Sequence, residues 1–388
     1  MPFSKQHWII LIIMITEVLG FSLILPFLPF YARDLGASAF TIGLLGTSFS
    51  LFQFISAPIM GNLSDYYGRK PLLIISQFST ALGFLFLAFS HNIWMLFASR
   101  IVDGLLGSNG TIAQAYLSDI SSKKDRSKAF GTSGIAFGFG FMVGPAIGGW
   151  LSQFGFSIPA LVACGMSLLS IILTYFYLPE TIKVKPKNFK LEAKILPINK
   201  LKKYFTNKNV QQQLTEFSLY VIGHAIFASN FSLYASHALD ITPQQIGFGL
   251  GYIGFVSIIF RGFLLPKLID HFPERILEKI ALFFAFFALI GSSFVTNWPM
   301  IFVFLTFYAA GSGSLRPLMM GDISRSVDEK EQGALMGVTS SLNSIAQIIG
   351  PLTGGIILNN FLPQSMLWLA AGLIAGTSIL VFKEKKFY

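Results

Sequence analysis

The sequence predicts an all-α membrane protein, with twelve transmembrane helices in two six-helix bundles related by an internal repeat. Three observations support this fold class: the composition, the number of apolar runs of spanning length, and markers that recur at a fixed offset. Of 388 residues, 53% are hydrophobic and only 12% are charged, whereas roughly 25% are charged in an ordinary soluble domain. The composition therefore excludes a soluble globular protein.

Twelve apolar runs are long enough to cross a bilayer. They occupy residues 8–30, 40–62, 72–90, 93–118, 129–153, 157–178, 211–235, 243–266, 276–296, 298–320, 332–358 and 364–382. The first run is long, contains Glu17 and is followed by Arg33 and Asp34, so we expect a spanning helix there and no cleavable signal peptide.

The net charge of +10 is distributed on one side of the predicted membrane. If the runs alternate direction from an internal N-terminus, most of the 28 Lys and Arg lie in inward loops and tails. This asymmetry is the positive-inside pattern, and it predicts a multi-pass protein of the inner cell membrane with both termini in the cytoplasm. The basic stretches lack the interleaved aromatic residues of a base-stacking groove, so we expect no nucleic-acid partner.

The two halves of the chain repeat each other. Ile42-Gly43 recurs as Ile246-Gly247, Asp65 as Asp270, and Asp119 as Asp322, at offsets of 204, 205 and 203 residues. Between the halves lies a Lys-rich stretch interrupted by prolines. We therefore predict an N-terminal bundle over residues 1–181, a cytoplasmic linker over 182–209 and a C-terminal bundle over 210–388, with a substrate route between the bundles.

A short charged stretch follows the second run and carries the pattern GxLxDxxGRxP. Its residues are Gly61, Asp65, Gly68, Arg69 and Lys70. We expect a loop at the membrane surface, because glycines allow a tight reversal and the charges can contact neighbouring helix ends. The pattern resembles the signature loop of the major facilitator superfamily, whose members are transporters. The second half carries a degenerate copy with Asp270, so we expect two cytoplasmic gates of unequal strength.

Glycines and prolines are concentrated in the fifth run and in its repeat. They are Gly138, Gly144, Pro145, Gly148, Gly149, Gly350, Pro351, Gly354 and Gly355. Glycines four residues apart bare one face of a helix and let a partner helix approach closely, and each proline is expected to add a kink. The GPxxGG pattern also resembles the antiporter motif of the drug-efflux branch of the superfamily. Ordinary helix packing remains an equal alternative.

Glu17 lies about 13 Å into the first run at 1.5 Å per residue. A carboxylate at that depth is costly unless it is paired, hydrated or protonated. The surrounding stretch from Glu17 to Pro29 resembles the first helix of the tetracycline/proton antiporters, with Glu in place of their Asp. The resemblance implies that Glu17 is a proton-coupling residue; the alternative is a buried structural pair.

Arg100 and Asp103 lie three residues apart on the fourth run, hence nearly on one helix face. Arg100 and Gly104 match the RxxxG signature of the family, whose arginine is associated with proton coupling. Asp103 departs from that signature, so it is either a second proton site or only the partner of Arg100.

Polar residues within the apolar runs are candidates for a substrate cavity or for helix packing. They are Gln53, Asn109, Gln114, His224, Asn230, Tyr252, Asn343 and Gln347. For Glu216 we expect the side chain to reach the membrane surface. Arg261 and Arg316 are interpreted as anchors at the cytoplasmic interface in preference to substrate ligands.

No phosphate-binding GxxxxGK[ST] loop and no HExxH or clustered metal-ligand spacing occurs in the sequence. We therefore predict a secondary transporter and no enzyme, with no cofactor or metal and the proton gradient as its energy source. The predicted function is proton-coupled efflux of small amphipathic or drug-like compounds by alternating access. The expected partners are a small-molecule substrate, protons and the lipid bilayer, with the protein a monomer. The alternatives are transport of a specific metabolite or metal chelate, and a membrane receptor or scaffold with a transporter fold.

Overall fold

The computed structural model describes residues 4–122, 126–182, 204–206 and 208–383, and the long elements of these segments are all helices. The helices of the first half are α1 (Lys5–Ile24), α2 (Leu28–Asp34), α3 (Ala39–Tyr67), α4 (Arg69–Ala88), α5 (Ile93–Leu106), α6 (Asn109–Ile120), α7 (Arg126–Leu151) and α8 (Ser157–Tyr177). Those of the second half are α9 (Lys208–Leu239), α10 (Pro243–Ile259), α11 (Leu265–His271), α12 (Glu274–Ser292), α13 (Trp298–Arg325), α14 (Glu329–Asn360) and α15 (Gln364–Lys383).

Every predicted apolar run coincides with helix, which confirms the all-helical membrane fold class. Nine helical segments of the described residues are long and apolar enough to span a membrane. The fourth run is divided into α5 and α6, and the eighth into α10 and α11. The five residues Phe260–Leu264 between α10 and α11 form a π turn. Its cause is Pro266, which lacks an N–H and whose ring clashes with the carbonyl four residues earlier.

The repeat extends to how equivalent helices begin. Asn92 precedes α5 and its side chain accepts a hydrogen bond of 3.0 Å from the Met95 N–H. Asn297 precedes α13 and accepts the same bond, also 3.0 Å, from the Met300 N–H. Both asparagines satisfy a helix N–H that has no partner within its own helix. The two halves therefore use one start signal for equivalent helices.

The charged stretch between the second and third runs is helical almost throughout, so the expectation of a loop is wrong. Residues up to Tyr67 belong to α3, and Gly68 alone interrupts the helix before α4. Gly68 has φ +114°, a conformation that residues with a Cβ rarely adopt. The Glu180 carboxylate accepts hydrogen bonds from the first two N–H groups of α4, those of Arg69 at 3.0 Å and Lys70 at 3.1 Å. A carboxylate bound by both oxygens at a helix N-terminus fixes the start of α4.

The helices form two compact units. The first comprises Met1–Ala37, Ser48–Ile195 and Thr242–Gly251, and the second comprises Ser38–Thr47, Leu196–Ile241 and Tyr252–Tyr388. Residues Ser38–Thr47, around the start of α3, belong to the second unit. Residues Thr242–Gly251, around the start of α10, belong to the first unit. Most of the predicted linker lies outside the described residues, so the boundary at residues 182–209 stays a prediction.

Glycines bring helices into backbone contact within each unit. In the first unit, a Cβ on Gly148 would overlap the Leu23 carbonyl of α1, and one on Gly144 would overlap the Ser22 hydroxyl. In the second unit, Gly350 and Gly354 of α14 face Ala225 and Asn230 of α9 in the same way. The close helix approach predicted from these glycines is therefore present in both repeats. α7 and α14 each run through their proline as one helix, and the kinks expected there stay predictions.

The equivalent glycines at the ends of these helices make a second pair of contacts. An added Cβ on Gly149 would lie 3.0 Å from the Gly247 Cα, and one on Gly355 would lie 3.0 Å from the Gly43 Cα. Each contact lies inside one unit, because the starts of α10 and α3 belong to the units that contain α7 and α14. At these short distances both helices need a residue without a side chain at the point of contact.

Gly148→Ala is expected to lower the stability of the protein by about 1–3 kcal/mol, because a methyl group there must displace the backbone of α1. The thermal unfolding midpoint of the purified protein measures this change. Gly165→Ala in α8 is the matched control, since nothing lies within 4 Å of an added Cβ. Equal midpoints for the two variants would show that the α1 and α7 contact does not limit stability.

Glu180→Ala is expected to loosen the start of α4, because two helix N–H groups lose their acceptors. Hydrogen–deuterium exchange of the amides of Arg69, Lys70 and Leu72 should become faster than in the unchanged protein. Asp270→Ala removes an exposed carboxylate elsewhere and serves as the control. Unchanged exchange in Glu180→Ala would mean that the α4 terminus is held by its other contacts.

Candidate functional site

A cavity of about 370 Å³ lies inside the first unit. Its polar and charged lining residues are Glu17, Gln53, Thr80, Asp103, Ser108, Asn109, Thr111 and Gln114. Aromatic side chains from α1, α3 and α7 form the apolar part, namely Phe21, Phe49, Phe137 and Phe141. The structure thus brings together Glu17, Asp103 and three of the predicted polar lining residues, Gln53, Asn109 and Gln114, in one cavity of mixed character.

Glu17 is the acid at the centre of this cavity. Its Oε2 accepts a hydrogen bond of 2.6 Å from the Asn109 amide, which lies 3.1 Å from the Thr80 hydroxyl and donates to it as well. Its Oε1 is buried and makes no hydrogen bond of ordinary geometry among the described residues, although the Ser170 hydroxyl of α8 lies near the carboxylate. One carboxylate oxygen therefore has a firm donor, and the other is available to hold a proton or to contact a ligand.

The break between α5 and α6 positions Asn109 beside Glu17. The Gly107 N–H donates to the Asp103 carbonyl at 2.7 Å, and an added Cβ on Gly107 would overlap that carbonyl. The Ser108 hydroxyl then lies 3.2 Å from the Ser56 hydroxyl of α3. Only a glycine lets the chain turn this closely past Asp103, so the two residues after α5 set where α6 begins.

Arg100 and Asp103 form a buried ion pair on α5. The Arg100 Nη1 lies 3.6 Å from the Asp103 Oδ2, and both side chains are almost fully buried. The guanidinium also lies 5.8 Å from the ring centres of Phe49 and Phe84. Cation–π contacts and one carboxylate together compensate this charge. The predicted pairing is present, and Asp103 additionally lines the cavity.

A band of buried hydroxyls and one amide lies on α4 and α8, two helices that pack against each other, with α8 also packed against α1. Its members are Ser76, Gln77, Ser167, Ser170 and Thr174. Their side-chain polar atoms lack hydrogen-bond partners among the described residues. Sequence reasoning missed this band, although Ser167, Ser170 and Thr174 have the spacing of a single helix face.

The predicted cytoplasmic gate residues of the first half form an ion-pair network. Arg69 is only 7% exposed and contacts Asp65 at 2.5 Å and Asp119 at 2.9 Å. Lys70 donates to the Tyr175 carbonyl at 2.7 Å. Gly61 is partly buried beside the Thr111 methyl group. This motif therefore ties α3, α4, α6 and the end of α8 together.

The second half builds its network from different residues. Arg275 contacts Glu216 at 3.3 Å, Glu278 at 2.6 Å and Asp322 at 3.7 Å. Asp270 is exposed, and no salt bridge to it occurs among the described residues. Glu216 is only 2% exposed, so the expectation that its side chain reaches the membrane surface is wrong. Arg275, which is remote in sequence from Glu216, supplies the cation that allows the Glu216 carboxylate to be buried.

The remaining predicted cavity residues lie in the second unit. His224 Nδ1 is 2.8 Å from the Tyr308 hydroxyl, and the Tyr252 hydroxyl is 2.7 Å from Thr306. Asn230 donates to the carbonyls of Ile226 and Gly350 and packs on Gly354, which is a helix-packing role. Asn343 and Gln347 are partly buried on α14. None of the five lines the cavity of the first unit.

The chain was compared with protein families and with individual relatives. The Major Facilitator Superfamily model matches residues 10–295 and 217–387. A tetracycline resistance protein of class H from Pasteurella multocida is 31% identical over 99% of this chain and 97% of its own length. Multidrug resistance protein 2 from Bacillus subtilis is 27% identical over 97% of this chain and 96% of its own length.

Solved structures agree on the fold. The human organic anion transporter MFSD10 superposes with a TM-score of 0.73 and 20% identity, covering 98% of this chain and 100% of that one. The nucleoside transporter NupG has a TM-score of 0.77 at 14% identity, with 96% of this chain and 99% of that chain covered. With a family model over nearly the whole length, a relative above 30% identity and the same fold, the chain belongs to the Major Facilitator Superfamily.

Proposed function

We propose that the protein is a secondary transporter that exports small amphipathic compounds in exchange for protons, by alternating access. The observation that carries the proposal is the half-satisfied carboxylate of Glu17 in a cavity of the first unit. The curated relatives named for resistance to tetracycline and to multiple drugs support the direction and the substrate class. The inner membrane, cytoplasmic termini and monomeric state predicted from the sequence belong to the same proposal.

Glu17 is suited to carry a proton because its two oxygens have different surroundings. An ionised carboxylate needs donors on both oxygens when water is excluded, and Oε1 has none in the described part of the chain. A proton on Oε1 removes the charge, while the Asn109 amide can hold Oε2 in either state. A substrate that enters the cavity changes these contacts, and this change couples its binding to the proton.

Arg100 and Asp103 are the residues that we propose to set how readily Glu17 exchanges its proton. Asp103 lines the same cavity, and its charge is partly compensated by Arg100 at 3.6 Å. A second carboxylate near Glu17 disfavours two simultaneous negative charges, and the arginine opposes that effect. The pair therefore acts on Glu17 through charge and does not need to contact the substrate.

The membrane supplies enough free energy for such exchange. A proton that moves inward releases about 2.3 kcal/mol per 100 mV of membrane potential. Each unit of pH difference adds about 1.36 kcal/mol. The proposed role of the cytoplasmic network around Arg69 is to hold one access state until substrate or proton binding favours the other.

Glu17→Gln is expected to abolish gradient-driven tetracycline transport in proteoliposomes and to leave substrate binding or counterflow exchange, because an amide cannot carry the proton. Tetracycline-driven proton movement, followed with an internal pH dye, should disappear as well. Glu17→Asp keeps an ionisable group and should retain part of the coupling. Asp34→Asn, which removes an exposed acid at the end of α2, should transport normally.

Uphill transport by Glu17→Gln at the rate of the unchanged protein would remove Glu17 from the mechanism. Saturable binding with neither substrate flux nor proton movement in the unchanged protein would instead favour a receptor with a transporter fold.

A further inference from the structure

Two arginines, Arg261 and Arg316, lie near each other in the second unit. Arg261 is in the π turn after α10, and its Nε donates to the Gly313 carbonyl of α13 at 3.0 Å. Arg316 is one turn further along α13 and lies within electrostatic range of Arg261. Both side chains are exposed. The structure therefore presents two accessible guanidinium groups side by side.

These arginines have no carboxylate partner in the part of the chain that the structure describes. The acids of the second unit that form salt bridges there, Glu216, Glu274, Glu278 and Asp322, pair with Arg275 and Arg325. Two neighbouring cations without an anion repel each other and lower the stability of the empty site. A bound anion would remove that repulsion.

The Arg261 head group lies apart from the charge network of Arg275, because it bonds the Gly313 carbonyl. Gly313 precedes Asp322 by nine residues of one continuous helix, which is about 13 Å at 1.5 Å per residue. A leucine cluster of Leu265, Leu268, Leu277 and Leu318 packs along α11, α12 and α13 on the side of that network. An arginine that anchors at the interface would extend toward the aqueous surface, so the expectation of an interface anchor does not fit Arg261.

Aromatic groups surround the arginine pair. The Tyr220 hydroxyl donates to the Ser312 carbonyl at 2.9 Å, next to the carbonyl that Arg261 occupies. His224 stacks on Tyr308 with ring centres 6.0 Å apart and lies in electrostatic range of both arginines. Guanidinium forks match carboxylates in shape and charge, and aromatic faces accept an apolar ring.

We propose that Arg261 and Arg316 form a binding site for amphipathic organic anions, with a carboxylate on the two guanidiniums and an aromatic body against the partly exposed ring of His224, which stacks on the buried Tyr308. The proposal names a substrate class for the transport function proposed above and rests on that function only for the step of transport. Arg261 lies within the π turn, a helix irregularity that is frequent at functional sites. An anionic lipid headgroup offers the same chemistry, and we favour the soluble anion because of the aromatic groups.

The test is a binding experiment on the purified full chain in uncharged detergent, with naphthoate and its uncharged amide as the probes. The unchanged protein should bind naphthoate about tenfold or more tighter than the amide, since a charge-assisted hydrogen bond is about twice as strong as a neutral one. Arg316→Gln should remove most of this preference, and Arg316→Lys should retain part of it. Arg33→Gln, which removes an arginine at the end of α2, should leave the preference unchanged.

The ratio of the two dissociation constants is the readout, because a general loss of packing weakens both probes alike and leaves the ratio unchanged. Arg261→Gln is the second variant, and the unfolding midpoint of each variant checks that it is folded. Equal binding of acid and amide by the unchanged protein, or a preference that persists when both arginines are replaced by Gln, would overturn the proposal. Phosphatidylglycerol that is retained through the arginines, without any preference for naphthoate, would assign the site to a lipid headgroup and also overturn it.

Binding is measured without a proton gradient, so the outcome is independent of Glu17. A naphthoate preference without substrate-driven proton movement would keep the anion site and reject proton coupling. Proton-coupled transport with no naphthoate preference would keep the proposed function and reject the anion site.

Discussion

The cost of placing charge in an apolar interior is the constraint on which the rest of this structure depends. A carboxylate or guanidinium within a spanning helix needs a partner, water or a proton. The chain meets this requirement differently at each site. Arg100 has Asp103 and two phenylalanine rings, and Glu216 has Arg275. Glu17 has a donor for only one of its oxygens, and the arginine pair in the second unit has no carboxylate among the described residues.

How completely a buried charge is paired with an opposite charge or a hydrogen-bond partner separates structural sites from candidate functional ones. A fully paired charge contributes to holding helices together and has little reason to exchange its partner. An incompletely paired charge is unstable by itself and favours a partner, which we propose to be a proton for Glu17 and an anion for the arginines. The networks of Arg69 and Arg275 are rich in short contacts, which suits the role of holding one access state that we propose for the network around Arg69.

Close helix packing is the second requirement, because hydrogen bonds between helices need short distances. The glycines of α7 allow its backbone to meet α1, the helix that carries Glu17. The glycines of α14 do the same for α9, which carries His224 and Tyr220. Van der Waals contact of this kind replaces the hydrophobic driving force that separate helices lack inside a bilayer. The two glycine-lined contacts therefore position both candidate sites.

The sequence by itself determined the fold class, the twelve apolar runs, the repeat and the candidacy of Glu17, Arg100 and Asp103. These properties are local, since hydropathy, motif spacing and an acid within an apolar run can be read along the chain. The tertiary structure alone decided that Asn109 and Thr80 reach Glu17, that Glu180 holds the start of α4, and that Glu216 is buried against Arg275. It also decided that Arg261 lies in a π turn and donates to the Gly313 carbonyl. Such contacts join residues far apart in sequence, and a periodic pattern carries no information about which helix faces which.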